Sequence, residues 1–141
     1  MKVILAFVML LVTVLQANSQ CDKKVVWHAS KADMFDAKGN LLQSKEGIII
    51  FETDSQKVSL NFKESTEAGI EGIVMKKICE WKEPFKNGKA IYHTPVSIDG
   101  KTSNAIFTLE AKEGKTVLSV EIEIMDGKKF LIYIDSYEEV K

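Results

Sequence analysis

The fold of this chain is decided by residues 104–136, which read NAIFTLEAKEGKTVLSVEIEIMDGKKFLIYIDS. Successive side chains of a β-strand point to opposite faces of the sheet. Three consecutive segments here alternate apolar with polar residues, which predicts three antiparallel strands that share one buried face. The apolar sets are Ala105, Phe107, Leu109 and Ala111, then Leu118, Val120, Ile122 and Ile124, then Phe130, Ile132 and Ile134.

The turns between these segments fix the predicted pairing, because a slip of one residue would carry each apolar set to the wrong face. The dipeptide Glu113-Gly114 predicts a two-residue hairpin loop. With that loop Leu109 lies opposite Leu118, so that apolar residues face one another across the first pair of strands.

The second turn requires a longer loop. A three-residue loop is predicted at residues 125–127, with Gly127 in the left-handed conformation. A two-residue loop is rejected because it would place Glu123 beside Phe130 on the apolar face. The predicted cross-strand pairs are Ile122 with Phe130, Val120 with Ile132, and Glu123 with Lys129.

Residues 1–20 have the features of a secretory signal peptide. Lys2 precedes an almost unbroken apolar run over residues 3–15, and residues 17–19 supply the small-x-small pattern of a cleavage site. The run is shorter than the roughly 20 residues that span a bilayer. The sequence therefore predicts an exported protein, secreted or periplasmic, in which residues 21–141 form a single all-β domain without a transmembrane segment.

Cys21 follows the predicted cleavage site and admits three interpretations. A disulfide with Cys79, the only other cysteine, is favoured in an exported chain and would contribute about 4 kcal/mol in the chain-entropy model. Lipidation of Cys21, as in bacterial lipoproteins, would anchor the protein to a membrane, but Gln20 fits the position before a lipidated cysteine poorly. Two unpaired cysteines are the third alternative.

Composition argues against a nucleic-acid partner. All 19 basic residues are lysines, and 20 acidic residues balance them. Nucleic-acid-binding proteins usually have a basic surplus and use the planar fork of arginine. The chain also has no Asn-x-Ser/Thr sequon, so N-glycosylation is not expected.

The first half of the chain predicts further strands and hairpins. Residues 24–29 alternate as a strand, and residues 36–40 form a turn between the ends of a short hairpin. A second hairpin joins residues 48–51 to residues 58–62 through a turn at residues 54–55.

Residues 65–81 are compatible with two structures. Their apolar residues recur at helical spacing, and Ser65 or Thr66 would cap the helix. Two glycines each weaken a helix by about 1 kcal/mol relative to alanine. A strand over residues 73–81 is therefore favoured.

The rest of the chain continues the β pattern. A loop is predicted at residues 84–89 and a strand at residues 90–98, with Pro95 at an edge or a bulge. A turn at residues 99–100 leads into the C-terminal strands. The sequence as a whole predicts an all-β fold, a single antiparallel meander of about eight strands that forms a small barrel or sandwich.

Few residues suggest catalysis. A zinc site from His28, His93 and an acid such as Asp33 would require neighbouring strands, and the spacing does not favour it. Glu121 and Glu123 alternate with core residues, which is typical of a solvated face rather than an acid–base pair. The sequence has no nucleophile elbow and no glycine-rich phosphate loop. No catalytic residue, metal or cofactor is therefore predicted, and a small hydrolase with an unidentified site is a minor alternative.

Four aromatic residues are candidates for a ligand site. Trp27, Trp81, Phe85 and Tyr92 would line a pocket if they met at the mouth of a barrel, although core packing explains them equally well. This set favours a non-enzymatic β-domain that binds a small apolar or amphipathic ligand.

An alternative function is a protein–protein interaction module of the cell envelope or extracellular space. Ile106, Leu131 and Tyr133 are apolar residues on the predicted polar face, and a contiguous patch of them would form a partner surface. A strand edge near Pro95 is a second candidate surface.

An exported meander of this kind resembles the lipocalins in architecture. Lipocalins usually have Gly-x-Trp in their first strand, whereas Val25 and Val26 precede Trp27 here. The resemblance is therefore architectural and implies no function.

Overall fold

The computed structural model describes residues 20–63 and 69–141. Most of them lie in nine strands: β1 (Lys24–Phe35), β2 (Leu41–Thr53), β3 (Lys57–Phe62), β4 (Ile70–Ile73), β5 (Lys76–Glu83), β6 (Asn87–Ile98), β7 (Lys101–Lys112), β8 (Lys115–Ile122) and β9 (Lys129–Val140). Short 3-10 helices span Gln20–Asp22 and Glu123–Met125. Except for Gln20, the predicted signal peptide lies outside the described residues, as do the candidate helix caps Ser65 and Thr66.

All nine strands belong to one antiparallel sheet in the order β4-β3-β2-β1-β9-β8-β7-β6-β5. Each strand pairs with its chain neighbour except that β4 and β5 do not pair, and β1 pairs with β9 instead. The sheet curls into a half-barrel. Its two edge strands, β4 and β5, follow one another in the chain. The predicted all-β antiparallel fold is confirmed, with nine strands in place of about eight.

The turn at Glu113-Gly114 has the predicted two residues. Glu113 has φ 53° and Gly114 has φ 78°, the positive values that a type I′ hairpin requires. Leu109 pairs with Leu118 as the apolar pattern predicts.

The predicted pairing across the second turn is wrong by two residues. Phe130 lies opposite Val120, not Ile122, and Lys129 lies opposite Glu121, with which it forms an ion pair of 3.9 Å. β8 ends early because its continuation folds into the 3-10 helix Glu123–Met125. A shift of two residues keeps the paired side chains of β8 and β9 on their predicted faces, so the alternating pattern alone does not distinguish the two pairings. The prediction that Ile124 belongs to the buried set is wrong, because this residue lies in the 3-10 helix and is 43% exposed.

Side chains of β7 hold this 3-10 helix in place. The backbone N–H of Ile124 donates to the Ser103 hydroxyl at 3.1 Å, and the Asn104 amide donates to the Glu123 carboxylate at 3.1 Å. These bonds replace the ladder hydrogen bonds that a longer β8 would have made, which explains why the turn is longer than the sequence predicts.

Residues 70–83 form two strands rather than the single strand predicted over residues 73–81. The break lies at Val74 and Met75, whose N–H groups donate to the Gln56 carbonyl at 2.7 Å and the His93 carbonyl at 2.9 Å. The chain thus crosses here from the β3 side of the half-barrel to β6. The described residues of this segment contain no helix, so the strand interpretation is confirmed from Lys76 onward.

The loop predicted at residues 84–89 is shorter than expected. β5 ends at Glu83 and β6 begins at Asn87, so the turn is at residues 84–86, with Phe85 at a positive φ of 60°. Gly88 lies inside β6, where a side chain would meet the Glu80 carbonyl at 2.2 Å. The glycine thus permits a close strand contact and does not form the turn.

Cys21 and Cys79 form the disulfide that the sequence favours. Cys21 is buried just before β1 and Cys79 lies on β5, so the bond joins the start of the first strand to an edge strand of the sheet. Because the Cys21 sulfur is bonded to Cys79, it is not available for a thioether to a lipid.

Candidate ligand-binding cavity

Aromatic side chains fill one end of the half-barrel. Phe85 packs against Trp27, Trp81 and Tyr137, with ring centroids 5.5, 5.6 and 5.3 Å apart. Trp27 also contacts Tyr137 at 5.3 Å. Edge-to-face and tilted rings at these distances are a favourable aromatic packing arrangement. This end of the molecule is therefore a packed core.

Tyr92 is connected to this core by hydrogen bonds through the Thr53 hydroxyl. The Trp27 indole N–H donates to the Thr53 hydroxyl at 3.3 Å, and Thr53 also hydrogen-bonds the Tyr92 phenol. Burial raises the pKa of Tyr92 to about 12, and the negative charge of Asp22 acts in the same direction. Asp22 is held in turn by an ion pair with Lys77.

The structure thus brings Trp27, Trp81 and Phe85 into one cluster and connects Tyr92 to it. Each of the four is at most 6% exposed. None of them is among the residues that line the cavity described below. A role for these four residues in binding a ligand stays a prediction.

A cavity of about 490 Å³ lies at the opposite end of the half-barrel. A register shift in β1 between Ala29 and Lys31 turns Ala32 and Met34 toward it. Most of its lining is apolar, from Ala32, Met34, Leu60, Phe62, Ile70, Ile98, Val120, Ile122, Met125, Phe130 and Ile132. Gly69 and the polar residues Asp33, Gln43, Lys45, Ser97 and Asp99 complete it.

The polar lining residues from β2 are two positions apart and share one face of the strand. Lys45 pairs with Ala32, and Gln43 pairs with Met34. The Lys45 ammonium lies 6.0 Å from the centroid of the Phe62 ring, the outer limit of a cation–π contact. A positive charge and an amide therefore lie next to each other at the wall of a mostly apolar cavity.

Asp33 is bonded to side chains of the two neighbouring strands. Ser44 donates to one carboxylate oxygen at 2.6 Å and the Tyr133 hydroxyl donates to the other at 2.8 Å. The bond from Ser44, followed by that from Tyr133, lowers the pKa of Asp33. Burial and the bond to Asp33 raise the pKa of Tyr133, over whose ring Lys31 lies at 5.7 Å. Asp33 is thus an ionised acceptor in a hydrogen-bonded cluster.

The histidines and Asp33 do not come together. His28 lies 3.0 Å from the Glu138 carboxylate on the exposed surface, whereas His93 lies on β6 opposite Ile106. Residues 20–63 and 69–141 contain no group of three or more His, Cys, Asp or Glu side chains that would hold a metal ion.

The three apolar residues predicted on the outer face are only partly contiguous. Ile106, Leu131 and Tyr133 are all half-buried. Leu131 lies between Ser119 and Asp33 of the neighbouring strands, and Ile106 lies between Glu121 and His93. Polar neighbours thus separate Ile106 from the other two, whereas Leu131 and Tyr133 are two positions apart on one face of β9 and Val117 lies opposite Tyr133.

No helix in the described part of the chain is long and apolar enough to cross a membrane. Comparison of the chain with protein-family models, curated proteins and solved structures gave no match. The cavity was not found from the sequence. The signal for it in the sequence is that Gln43 and Lys45 alternate onto the same face as Ile49 and Phe51. β2 begins at Leu41, seven residues before the strand that the sequence predicts over residues 48–51.

Proposed function

We propose that this protein is an exported, non-enzymatic binding protein that holds a small apolar or amphipathic ligand in the half-barrel. The cavity of about 490 Å³ carries this proposal. Ligand pockets in proteins are typically about 300–1,000 Å³, predominantly apolar, with a few polar groups that orient the ligand. The cavity has each of these properties.

The two ends of the half-barrel differ in a way that supports this assignment. Fully buried apolar residues of β3, β8 and β9 form part of the cavity wall, represented by Leu60, Val120 and Ile132. At the other end Phe85 and its aromatic neighbours occupy the interior. Interiors of small proteins are normally close-packed, so an apolar space of this size suits an occupant better than a structural role.

Export is supported by two independent features. The predicted signal peptide precedes Cys21, and the Cys21–Cys79 disulfide is typical of oxidising compartments such as the periplasm or the extracellular space. A carrier or sensor of an apolar molecule outside the cytoplasm is therefore the function that we propose.

The test is binding of the neutral fluorescent probe N-phenylnaphthylamine to the mature protein. The Ala32→Phe variant adds a ring to the cavity wall, and we expect it to weaken probe binding at least about tenfold, the equivalent of about 1.4 kcal/mol. Glu110→Phe places the same ring on an exposed position of β7 and serves as the matched control. Absence of probe binding, or equal binding by both variants, would contradict the proposal.

A further inference from the structure

We propose that the cavity selects ligands with a carboxylate at one end, and that Lys45 binds this group. This inference rests on the proposed function and names its ligand class. Lys45 lines the cavity from β2, where it pairs with Ala32, another lining residue. Its side chain is only half-buried, so the ammonium lies between solvent and the apolar interior.

The position of Lys45 suits a ligand anion. Its ammonium lies over the ring of Phe62, which also lines the cavity. Lys45 has a further interaction within the protein. An ammonium has three N–H donors, so a ligand oxygen can be bound in addition to existing partners. Gln43, two residues away on the same face, offers amide N–H donors for the second carboxylate oxygen.

The acidic residues of the lining do not create an equivalent site for a cation. Asp33 alternates with Ala32 and Met34, so its carboxylate lies on the opposite face of β1, where Ser44 and Tyr133 donate to it. Asp99 is exposed in the two-residue turn between β6 and β7, at the rim. An amine ligand would meet the like charge of Lys45 at the wall, which is unfavourable.

The lining residues differ in exposure, and this difference would orient a ligand in the cavity. Leu60, Val120 and Ile132 are 2% exposed or less, whereas Gln43 is exposed and Lys45 is half-buried. An alkyl chain directed toward the buried residues removes apolar surface from water, worth about 25 cal/mol per Å². The geometry therefore matches a monocarboxylate with a long alkyl chain, its head group at β2 and its chain inward.

The test compares three ligands of equal chain length as displacers of N-phenylnaphthylamine from the mature protein at neutral pH. We expect dodecanoic acid to bind about two- to fivefold more tightly than dodecanol, because partly solvated ion pairs contribute about 0.5–1 kcal/mol. We expect dodecylamine to bind most weakly. In Lys45→Met the acid should lose its advantage while the alcohol binds as before, and Lys45→Arg should retain the preference.

Lys115→Met, at the turn between β7 and β8, is the matched control and should leave all three affinities unchanged. Equal affinity of the acid and the alcohol for the unaltered protein would overturn the carboxylate inference and leave the proposed function intact. An equal loss of acid and alcohol affinity in Lys45→Met would overturn the role of Lys45. Failure of the probe and of all three ligands to bind would overturn the proposed function, and this inference with it.

Discussion

A methyl group on Gly72 would lie 2.3 Å from the carbonyl oxygen of Pro95. Gly72 is on β4 and Pro95 is on β6, and these strands are not hydrogen-bonded neighbours in the sheet. β5 pairs with β6 only as far as His93, so the part of β6 that contains Pro95 has no hydrogen-bonded partner in β5. This agrees with the edge position that the sequence predicts for Pro95. β4 passes against this edge and brings the two borders of the curled sheet together.

Gly72→Ala should therefore weaken the contact between the sheet borders. The added methyl would also meet the Thr94 methyl carbon at 2.5 Å, so that backbone as well as side chain must move. We expect a loss of about 1–3 kcal/mol in the free energy of unfolding, measured by urea denaturation. Glu71→Ala, at an exposed position of the same strand, should change it by less than about 0.5 kcal/mol. Equal stability of the two variants would show that β4 does not approach β6 this closely.

Two buried threonines should respond oppositely to the same substitution. Thr53 bonds Trp27 and Tyr92, whereas the hydroxyl of Thr94 has no hydrogen-bond partner among the described residues. Thr53→Val leaves buried polar groups unpaired and should cost about 1–3 kcal/mol in the free energy of unfolding. Thr94→Val removes an unpaired hydroxyl and should be neutral or stabilising. Urea denaturation of both variants checks the contrast, and a large loss in Thr94→Val would contradict it.

Removal of the disulfide should lower the stability of the whole sheet. The bond closes a loop with a sequence separation of 58, for which the chain-entropy model gives about 4 kcal/mol. The double variant Cys21→Ala/Cys79→Ala should lose a stabilisation of that order in urea denaturation. Reductant should destabilise the unaltered protein to the same extent and leave the double variant unchanged. A reductant effect on the double variant would point to a cause other than this bond.

Substitutions of Phe85 test whether the aromatic cluster is structural or binds a ligand. Its ring contacts Trp27, Trp81 and Tyr137, so Phe85→Ala should cost about 3–5 kcal/mol in the free energy of unfolding. Phe85→Leu fills more of the space and should remain folded. We expect this variant to bind N-phenylnaphthylamine with unchanged affinity, because Phe85 does not line the cavity. Weaker probe binding in Phe85→Leu would favour the aromatic ligand site that the sequence suggests.

The sequence predicts faces better than it predicts strand ends. Alternation places Val25, Trp27 and Ala29 inward, and all three are buried. Strand ends depend on tertiary contacts that no local pattern contains. For example, β8 ends where the backbone N–H of Ile124 donates a hydrogen bond to the Ser103 hydroxyl, and Ser103 lies 21 positions earlier in the chain.

The cavity is harder to predict than the sheet for a related reason. Its lining combines residues from many strands, and its existence depends on which facing side chains are too small to meet. The sequence indicates an aromatic site because Trp27 and Phe85 have large rings suited to ligands, yet large rings also fill space well. Here they contact one another at 5.5 Å. The cavity lies instead where the smaller side chains of Ala32 and Val120 line the interior.

Tyr92 should make the protein sensitive to alkaline pH. Its pKa is raised from 10.0 to about 12 in the folded state, chiefly by burial. Between these values the unfolded chain releases the phenolic proton while the folded protein retains it, so the unfolded state binds fewer protons and stability falls as pH rises. The contribution is fully present below pH 10 and is lost as the pH approaches 12. The shift corresponds to about 2–3 kcal/mol, since one pKa unit is about 1.4 kcal/mol.

Urea denaturation of the unaltered protein and of Tyr92→Phe between pH 8 and about pH 12 measures this contribution. Tyr92→Phe removes the hydroxyl that bonds Thr53, so it should be less stable than the unaltered protein at pH 8. The difference between the two proteins should shrink above pH 10, because only the unaltered protein has this buried phenol to ionise. Tyr137→Phe is the matched control, because it removes the hydroxyl of an exposed tyrosine and keeps the ring. Parallel pH curves for the unaltered protein and Tyr92→Phe would show that Tyr92 is not the group whose ionisation unfolds the sheet.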